Sequence, residues 1–333
     1  MVHQAMEVSE IERRTRKIIP QWKEAALELS LIEKGGSGRT FVRISEPVSG
    51  KAVVVVSYTR DRPDNERFGP ITEFLNRHAI PSPHLIHADH ENDCVWVEDL
   101  GGTDLGNLDG KDWDKVRRPA YESTLETVWR LHEIVETDPP DDLPELEPPF
   151  DEALYQWEQD YFIEQYVARF ISESAAEKLR SEPSLKELIS ELTALPRSLV
   201  HRDFQSTNVM LSGGKTCLID YQGMRWGVPE YDIASLVFDP YAEFSSEQRQ
   251  DLIGFYFSLK EQSGVGQSEA EYRKQLCQCA TQRLMQATGA YGFLGEVKGK
   301  PEFLDHIPAA RERLVELASQ EGGLTVLGDL LSQ

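Results

Sequence analysis

Three side chains in one short stretch carry oxygen atoms at a spacing suited to chemistry. Asp203 is followed by Asn208, and Asp220 comes twelve positions after that. Between them, Val209-Met210-Leu211 and Thr216-Cys217-Leu218-Ile219 flank Ser212-Gly213-Gly214-Lys215, two apolar runs around a glycine turn. That pattern predicts a β-hairpin. Pairing Ser212 with Thr216 around a three-residue loop sets Asn208 opposite Asp220. Opposed residues in a hairpin have Cβ atoms about 4.5–5.5 Å apart. An amide oxygen and a carboxylate meeting there suit Mg²⁺, a hard cation that takes one or two protein oxygens together with substrate phosphates and water. Phosphoryl transfer needs, in addition, a carboxylate that orients and deprotonates the incoming hydroxyl. Asp203 supplies it. Each of these residues alone also suits an ordinary turn. Together, with His201-Arg202 before them and the hairpin after, they are specific. His201 is read as a brace for the backbone, because the reaction already has its base.

Elements of two kinds must position this stretch. The first hundred residues read mainly as strands. Leu27, Leu29 and Leu31 alternate with polar residues, and 40–45 and the valine-rich 52–58 follow, with 85–88 and 94–98 as two more strands. Phe68, Ile71, Phe74 and Leu75 place one helix over about 65–78. After Leu100-Gly101-Gly102, helical periodicity takes over at about 112–135, 151–170, 173–193, 246–262, 268–290 and 308–318. The proline-rich, acidic 139–149 reads as a loop. The expected fold class is α+β with two lobes: a small β-rich lobe over residues 1–100, with an N-terminal helix, and a larger helical lobe over 101–333. A cleft between such lobes is a usual ligand site.

Composition limits the partners. The 333 residues carry 35 basic and 57 acidic side chains, a net charge of −22. This balance excludes a nonspecific nucleic-acid binder and docking on an anionic membrane. The longest uninterrupted apolar run is the five residues Ala52–Val56. A span needs about 20. Four cysteines do not make a disulfide framework, so free thiols and a cytoplasmic location are expected. Oligomeric state is left open.

At these residues the sequence resembles the aminoglycoside phosphotransferase/choline kinase family, a protein-kinase-like fold. It is most similar to the branch of anomeric N-acetylmuramate/N-acetylglucosamine kinases. His201-Arg202-Asp203-Phe204 with Asn208 carries the resemblance, as does Ile219-Asp220-Tyr221-Gln222-Gly223 with the run Gly227–Leu236. Gly289-Ala290-Tyr291-Gly292-Phe293, Gly299-Lys300-Pro301 and His306-Ile307-Pro308 point to the branch. The resemblance implies ATP and Mg²⁺ as cofactors and a small-molecule hydroxyl as acceptor. It implies Asp203 as catalytic base, and Asn208 and Asp220 as metal ligands. Gly35, Gly36, Ser37 and Gly38, with Arg39, would cover the ATP phosphates, and the backbone around Val97, Glu98 and Asp99 would bind adenine. Asp232 would brace the catalytic loop from the cap of a helix.

One departure stands out. Kinases usually carry a lysine inside the third strand, paired with a helix glutamate. Here that strand is Ala52-Val53-Val54-Val55-Val56-Ser57-Tyr58. Arg39, Arg43, Lys51 or Arg60 could replace the lysine, with Glu66 as the helix partner, and a nucleotide-binding homologue without turnover stays open. For the acceptor, an amino-sugar acid calls for a cation, with Arg202 and Arg225 as candidates. An aminoglycoside or choline-like compound calls instead for acids and aromatics such as Trp157, Glu158, Asp160 and Tyr161.

Overall fold

The computed structural model describes residues 7–32, 39–60, 62–264 and 266–332. The expected phosphate-covering residues Gly35, Gly36, Ser37 and Gly38 lie outside the described residues. The chain divides into two compact units. One comprises Met1–Thr103, Pro140–Glu147 and Met210–Gly223, and the other Asp104–Pro139, Pro148–Val209 and Met224–Gln333.

The first unit is built on a five-stranded antiparallel sheet. It contains α1 (Val8–Ile18), β1 (Glu28–Ile32), β2 (Arg39–Glu46), β3 (Lys51–Tyr58), α2 (Phe68–Arg77), β4 (Leu85–Asp89) and β5 (Cys94–Glu98). The strand order is β1-β2-β3-β5-β4. Alternation along the strands sorts side chains onto two faces. Val42 and Ile44 of β2, Val53 and Val55 of β3, and Cys94 and Trp96 of β5 share one apolar cluster with Ile11 of α1 and Trp22. The Trp96 indole N–H donates to the buried Thr15 hydroxyl at 2.8 Å, so this large ring is buried without an orphaned donor. The other face carries Arg39, Phe41 and Arg43 of β2 opposite Tyr58, Val56 and Val54 of β3.

Two later segments belong to this unit although they follow residue 100. The hairpin strands Val209–Ser212 and Lys215–Leu218 enter it through backbone bonds from Leu211 N to the Thr103 carbonyl and from Leu218 N to the Pro81 carbonyl, both 2.9 Å. Its apolar side joins Leu100, Met210 and Cys217, with Ile219 against them. The acidic segment is tied down by charge. Asp142 accepts from Arg77 Nε at 2.8 Å and pairs with His78 Nε2 at 2.9 Å, and Glu145 accepts from Arg67 at 2.9 Å.

The hairpin loop is shorter than expected. It holds two residues, Gly213 and Gly214, both with positive φ (+56° and +77°), rather than three. Two left-handed residues in sequence make the turn whose twist matches that of the flanking strands, and glycine adopts it at no steric cost. The register therefore slips by one position. Asn208 closes a 3₁₀ turn, Ser206–Asn208, just ahead of the first strand, and Asp220 lies just past the second.

The second unit is mainly helical: α3 (Arg118–His132), α4 (Glu152–Phe162), α5 (Glu173–Arg180), α6 (Pro183–Thr193), α7 (Pro229–Val237), α8 (Ser246–Gln262), α9 (Glu269–Gly292), α10 (Ile307–Ala318) and α11 (Thr325–Leu331). The single helix expected over 173–193 is two, because Pro183 has no N–H to continue a helix and instead opens α6. The pattern read as one helix over 151–170 is α4 followed by a wider turn, Ile163–Ile171. Capping boxes at Ser245 with Gln248 and at Ser268 with Glu271 start α8 and α9. Helix α9 is the spine, in contact with α4, α7 and α10. A Cβ on Gly292 would lie 2.3 Å from the Gln165 carbonyl oxygen, so the close approach there depends on glycine.

A short antiparallel ladder pairs Ser198–Val200 with Arg225–Gly227. A Cβ on Gly227 would come within 2.6 Å of the Phe150 ring and 2.9 Å of Val200 Cγ2. All four cysteines are free and buried, and burial pushes the Cys94 and Cys277 thiols up to about 12. Among the described residues no helix is long and apolar enough to cross a membrane. Gly227→Ala is expected to lower unfolding stability by about 1–3 kcal/mol through overpacking. Chemical denaturation followed by circular dichroism checks this, and an unchanged midpoint would count against the packing described.

Candidate active site

In the second unit, the loop that follows the strand Ser198–Val200 carries His201, Arg202 and Asp203. Arg202 has φ +78°, a left-handed conformation that a side chain disfavours by about 1–2 kcal/mol. Asp232, in the first turn of α7 and fully buried, holds it there. Its carboxylate accepts the backbone N–H of His201 at 2.6 Å and of Arg202 at 2.8 Å. Such charge-assisted bonds outweigh the local strain. Asp232 also accepts from His132 Nε2 at 3.0 Å, and His132 Nδ1 accepts from the Tyr256 hydroxyl at 2.7 Å. The bracing expected of Asp232 is thus visible as two bonds to the loop's backbone, made from within the first turn of α7 and not from its cap, which is Val228.

A second carboxylate fixes the other end of the loop. Buried Asp239 accepts the Ser206 backbone N–H at 2.9 Å and its hydroxyl at 2.7 Å. Burial raises its carboxyl, and the Ser206 and Tyr241 backbone bonds act against that rise. His132, Asp239 and Arg283 escaped the sequence reading. No local pattern marks them, since Asp239 and Arg283 reach the loop, and His132 its brace Asp232, from distant helices or helix ends.

Asp203 sits between two guanidinium groups. Oδ2 accepts from Arg202 Nη1 at 2.6 Å and Oδ1 from Arg283 Nη2 at 3.3 Å. Arg283 is itself fixed, its Nε donating to Ser235 Oγ at 2.9 Å. Burial acts to raise the Asp203 carboxyl, but Arg202, Arg283 and His201 outweigh it and hold it down at about 2. The side chain stays 30% exposed, enough to reach a hydroxyl. A carboxylate this acidic takes little of an alcohol's proton in the ground state. Such a carboxylate is suited to orienting a hydroxyl and accepting its proton late, as a loose phosphoryl-transfer transition state requires.

Asn208 donates from Nδ2 to the Asp203 backbone carbonyl at 3.0 Å. This bond fixes which way the amide points. Among the described residues its Oδ1 accepts no hydrogen bond, so the oxygen is presented rather than consumed.

In the first unit, Asp220 follows the hairpin in a left-handed conformation, φ +64°. Its Oδ1 accepts from Arg39 Nη2 at 2.7 Å and Gln222 Nε2 at 3.1 Å. Oδ2 accepts none among the described residues. Tyr221 anchors the turn, with its hydroxyl 2.7 Å from Thr72 Oγ1 and its ring stacked on Phe68. An amide oxygen and a carboxylate oxygen left open in this way are the donor chemistry that Mg²⁺ takes.

The remaining candidates fare differently. Val97 is paired on both sides, with Val54 and Leu85. The Glu98 backbone N–H donates to the His84 carbonyl at 2.9 Å. The Asp99 carboxylate is held by Arg43 at 2.7 and 2.9 Å, so its side chain fixes the turn into Gly101. Arg225 lies over the Phe150 ring at 5.2 Å. Glu66, expected on a helix, sits on the 3₁₀ turn Pro63–Arg67 and pairs with Arg60 at 3.3 Å. Glu158 is buried, accepting from the Tyr231 hydroxyl at 2.8 Å and Gln282 Nε2 at 3.0 Å, and burial raises its carboxyl. Trp157 remains outside, stacked on Tyr161.

Residues 28–269 match the family described as "Phosphotransferase enzyme family". An N-acetylmuramate/N-acetylglucosamine kinase of Neisseria meningitidis serogroup B is 28% identical over 71% of this chain and 72% of its own. A protein of the same name from Pseudomonas putida is 25% identical over 90% of this chain and 83% of its own. Among solved structures, a choline/ethanolamine kinase family protein from Mesorhizobium loti superimposes with a TM-score of 0.65 at 14% identity, covering 98% of this chain and 100% of that one.

Asp232→Asn removes the charge that holds two backbone N–H groups. Stability is expected to fall by about 1–3 kcal/mol, and turnover by about 100-fold as Asp203 loses its position. Nucleotide affinity should stay within about twofold of the parent protein's in a fluorescence titration. Parent-like turnover in a folded Asp232→Asn protein would show that the brace does not set the loop.

Proposed function

The chain belongs to the phosphotransferase enzyme family, acting on small-molecule hydroxyls, and from that membership we propose that it is an ATP- and Mg²⁺-dependent amino-sugar kinase. The acceptor is the anomeric hydroxyl of N-acetylmuramate or N-acetylglucosamine, in cell-wall recycling in the cytoplasm. The observation that carries this reading is the catalytic loop. An acidic, partly exposed carboxylate is clamped by Arg202 and Arg283, five residues ahead of an amide whose oxygen accepts no hydrogen bond among the described residues.

In this reading Asp203 aligns the hydroxyl and accepts its proton. Asn208 and Asp220 hold the metal, which supplies the positive charge that the transferring phosphoryl group needs. An anomeric hydroxyl is more acidic than an ordinary alcohol, so a carboxylate of low basicity suffices for it. Arg202 and Arg225 remain the candidate cations for the carboxylate of N-acetylmuramate. The backbone around Val97, Glu98 and Asp99 takes the adenine, and the stretch Gly35–Arg39 covers the phosphates.

Support for the acceptor comes from the two relatives, both named N-acetylmuramate/N-acetylglucosamine kinase. A cationic acceptor such as an aminoglycoside finds less support. Glu158, the acid best placed in sequence to meet one, is turned inward onto Tyr231 and Gln282 and shifted toward its neutral form.

With purified protein, Mg²⁺ and ATP, ADP release should be stimulated by N-acetylmuramate and N-acetylglucosamine. Stimulation by cationic acceptors alone would reject the amino sugar, and nucleotide binding without release on any acceptor would reject turnover. Asp203→Asn should lower kcat by about 10²–10⁴-fold with ATP affinity nearly unchanged. A large loss of ATP binding in that variant would contradict its assignment as the base.

A further inference from the structure

The third strand lacks the lysine that ordinarily meets the α- and β-phosphates, so some other cation must do so if the kinase reading, on which this inference rests, is correct. Four residues are near enough in sequence: Arg39, Arg43, Lys51 and Arg60. The sheet register separates them. Lys51 pairs with Glu46, whereas Arg39 pairs with Tyr58 at the opposite end of the same two strands. Seven residues of strand place these rows about 24 Å apart. Parity also divides them. Lys51 shares its face of β3 with Val53 and Val55, which bury against α1, whereas Tyr58 and Arg39 lie on the other face.

Arg43 lies on the same face as Arg39, but its carboxylate partner is Asp99 rather than the residue proposed to hold the metal. Nε and Nη2 both engage Asp99, and Nη2 also donates to the Gly101 carbonyl at 2.9 Å. Arg60, beyond the end of β3, is drawn to Asp93 at 2.7 Å and to the His90 carbonyl at 2.8 Å, and is 47% exposed.

Arg39 differs from all three. It opens β2 directly after the glycine-rich stretch, and its side chain is only 5% exposed. Its carboxylate partner is Asp220, the residue proposed to hold the metal. The planar guanidinium sits 5.9 Å from the Phe41 ring on the same face of β2, which limits its freedom. A planar fork of N–H donors matches carboxylate and phosphate oxygens alike.

We infer that Arg39 takes the place of the absent strand lysine, binding the α/β-phosphates of the nucleotide while its bond to Asp220 replaces the usual lysine–glutamate pair. Glu66 has no part in that pair, since it faces Arg60 on an exposed turn. The ligand feature that Arg39 reads is the polyphosphate, not the nucleoside.

The test is equilibrium binding of ATP, ADP and adenosine to the full chain, with and without Mg²⁺, for the parent protein and for Arg39→Ala, Arg39→Lys and Lys51→Ala. Arg39→Ala should weaken ATP and ADP by at least tenfold and leave adenosine within twofold. Arg39→Lys should recover part of the loss, and Lys51→Ala should bind all three as the parent does. Arg39→Lys keeps a positive charge beside Asp220, so it reports on phosphate binding even if Arg39→Ala unfolds. Equal weakening of adenosine and ATP would reduce Arg39 to a structural residue, and parent-like ATP binding by Arg39→Ala, or a tenfold loss in Lys51→Ala, would overturn the assignment. A parent protein that binds no ATP would overturn the kinase reading itself, a result distinct from any of these.

Discussion

One buried carboxylate sets the geometry on which the chemistry rests. Asp232 has no exposure, and it spends its charge on the backbone N–H groups of His201 and Arg202 and on His132. A buried carboxylate is tolerable only where donors surround it. Here those donors belong to the very loop that carries Asp203. The helix α7 and the catalytic loop are therefore fixed to each other by charge rather than by apolar packing alone. The left-handed backbone at Arg202 follows from that bond pair, and with it the direction in which Asp203 leaves the chain.

The second feature is a balance of charge around Asp203. Two guanidinium groups meet this one carboxylate, in a chain that is strongly acidic overall. Phosphoryl donors and an acidic sugar are both anions, so guanidinium groups at the loop favour them, while net negative charge elsewhere mainly serves solubility. The two guanidinium groups keep the carboxylate ionised and weakly basic. In the proposed reading, alignment of the hydroxyl counts for more than proton affinity.

Much of this was legible in the sequence, and what was not has a physical cause. β2 announces itself because one face of it must be buried, and valine-rich β3 because, central in the sheet, it is buried on both faces. The Asp203, Asn208 and Asp220 spacing is local and could be read directly. The hairpin loop was misread by one residue because Ser212-Gly213-Gly214-Lys215 accommodates loops of two or three, and only the twist of the flanking strands decides between them. Arg283 lies 80 residues from Asp203, and Asp239 33 from Ser206. Their roles exist only once helices pack, and no periodicity within α9 distinguishes the arginine that reaches the loop from its neighbours. Glu158 shows the opposite error. In sequence it resembles a surface acid for a cationic ligand, but the fold turns it inward.

The most direct measurement is where the phosphoryl group lands. Phosphorus NMR of a reaction containing N-acetylglucosamine, ATP, Mg²⁺ and the purified protein should show a new phosphomonoester resonance coupled to the single anomeric proton. No such resonance should appear with Asp203→Asn. A resonance coupled instead to the two protons of a primary carbinol, or equal product from the Asp203→Asn protein, would contradict the account.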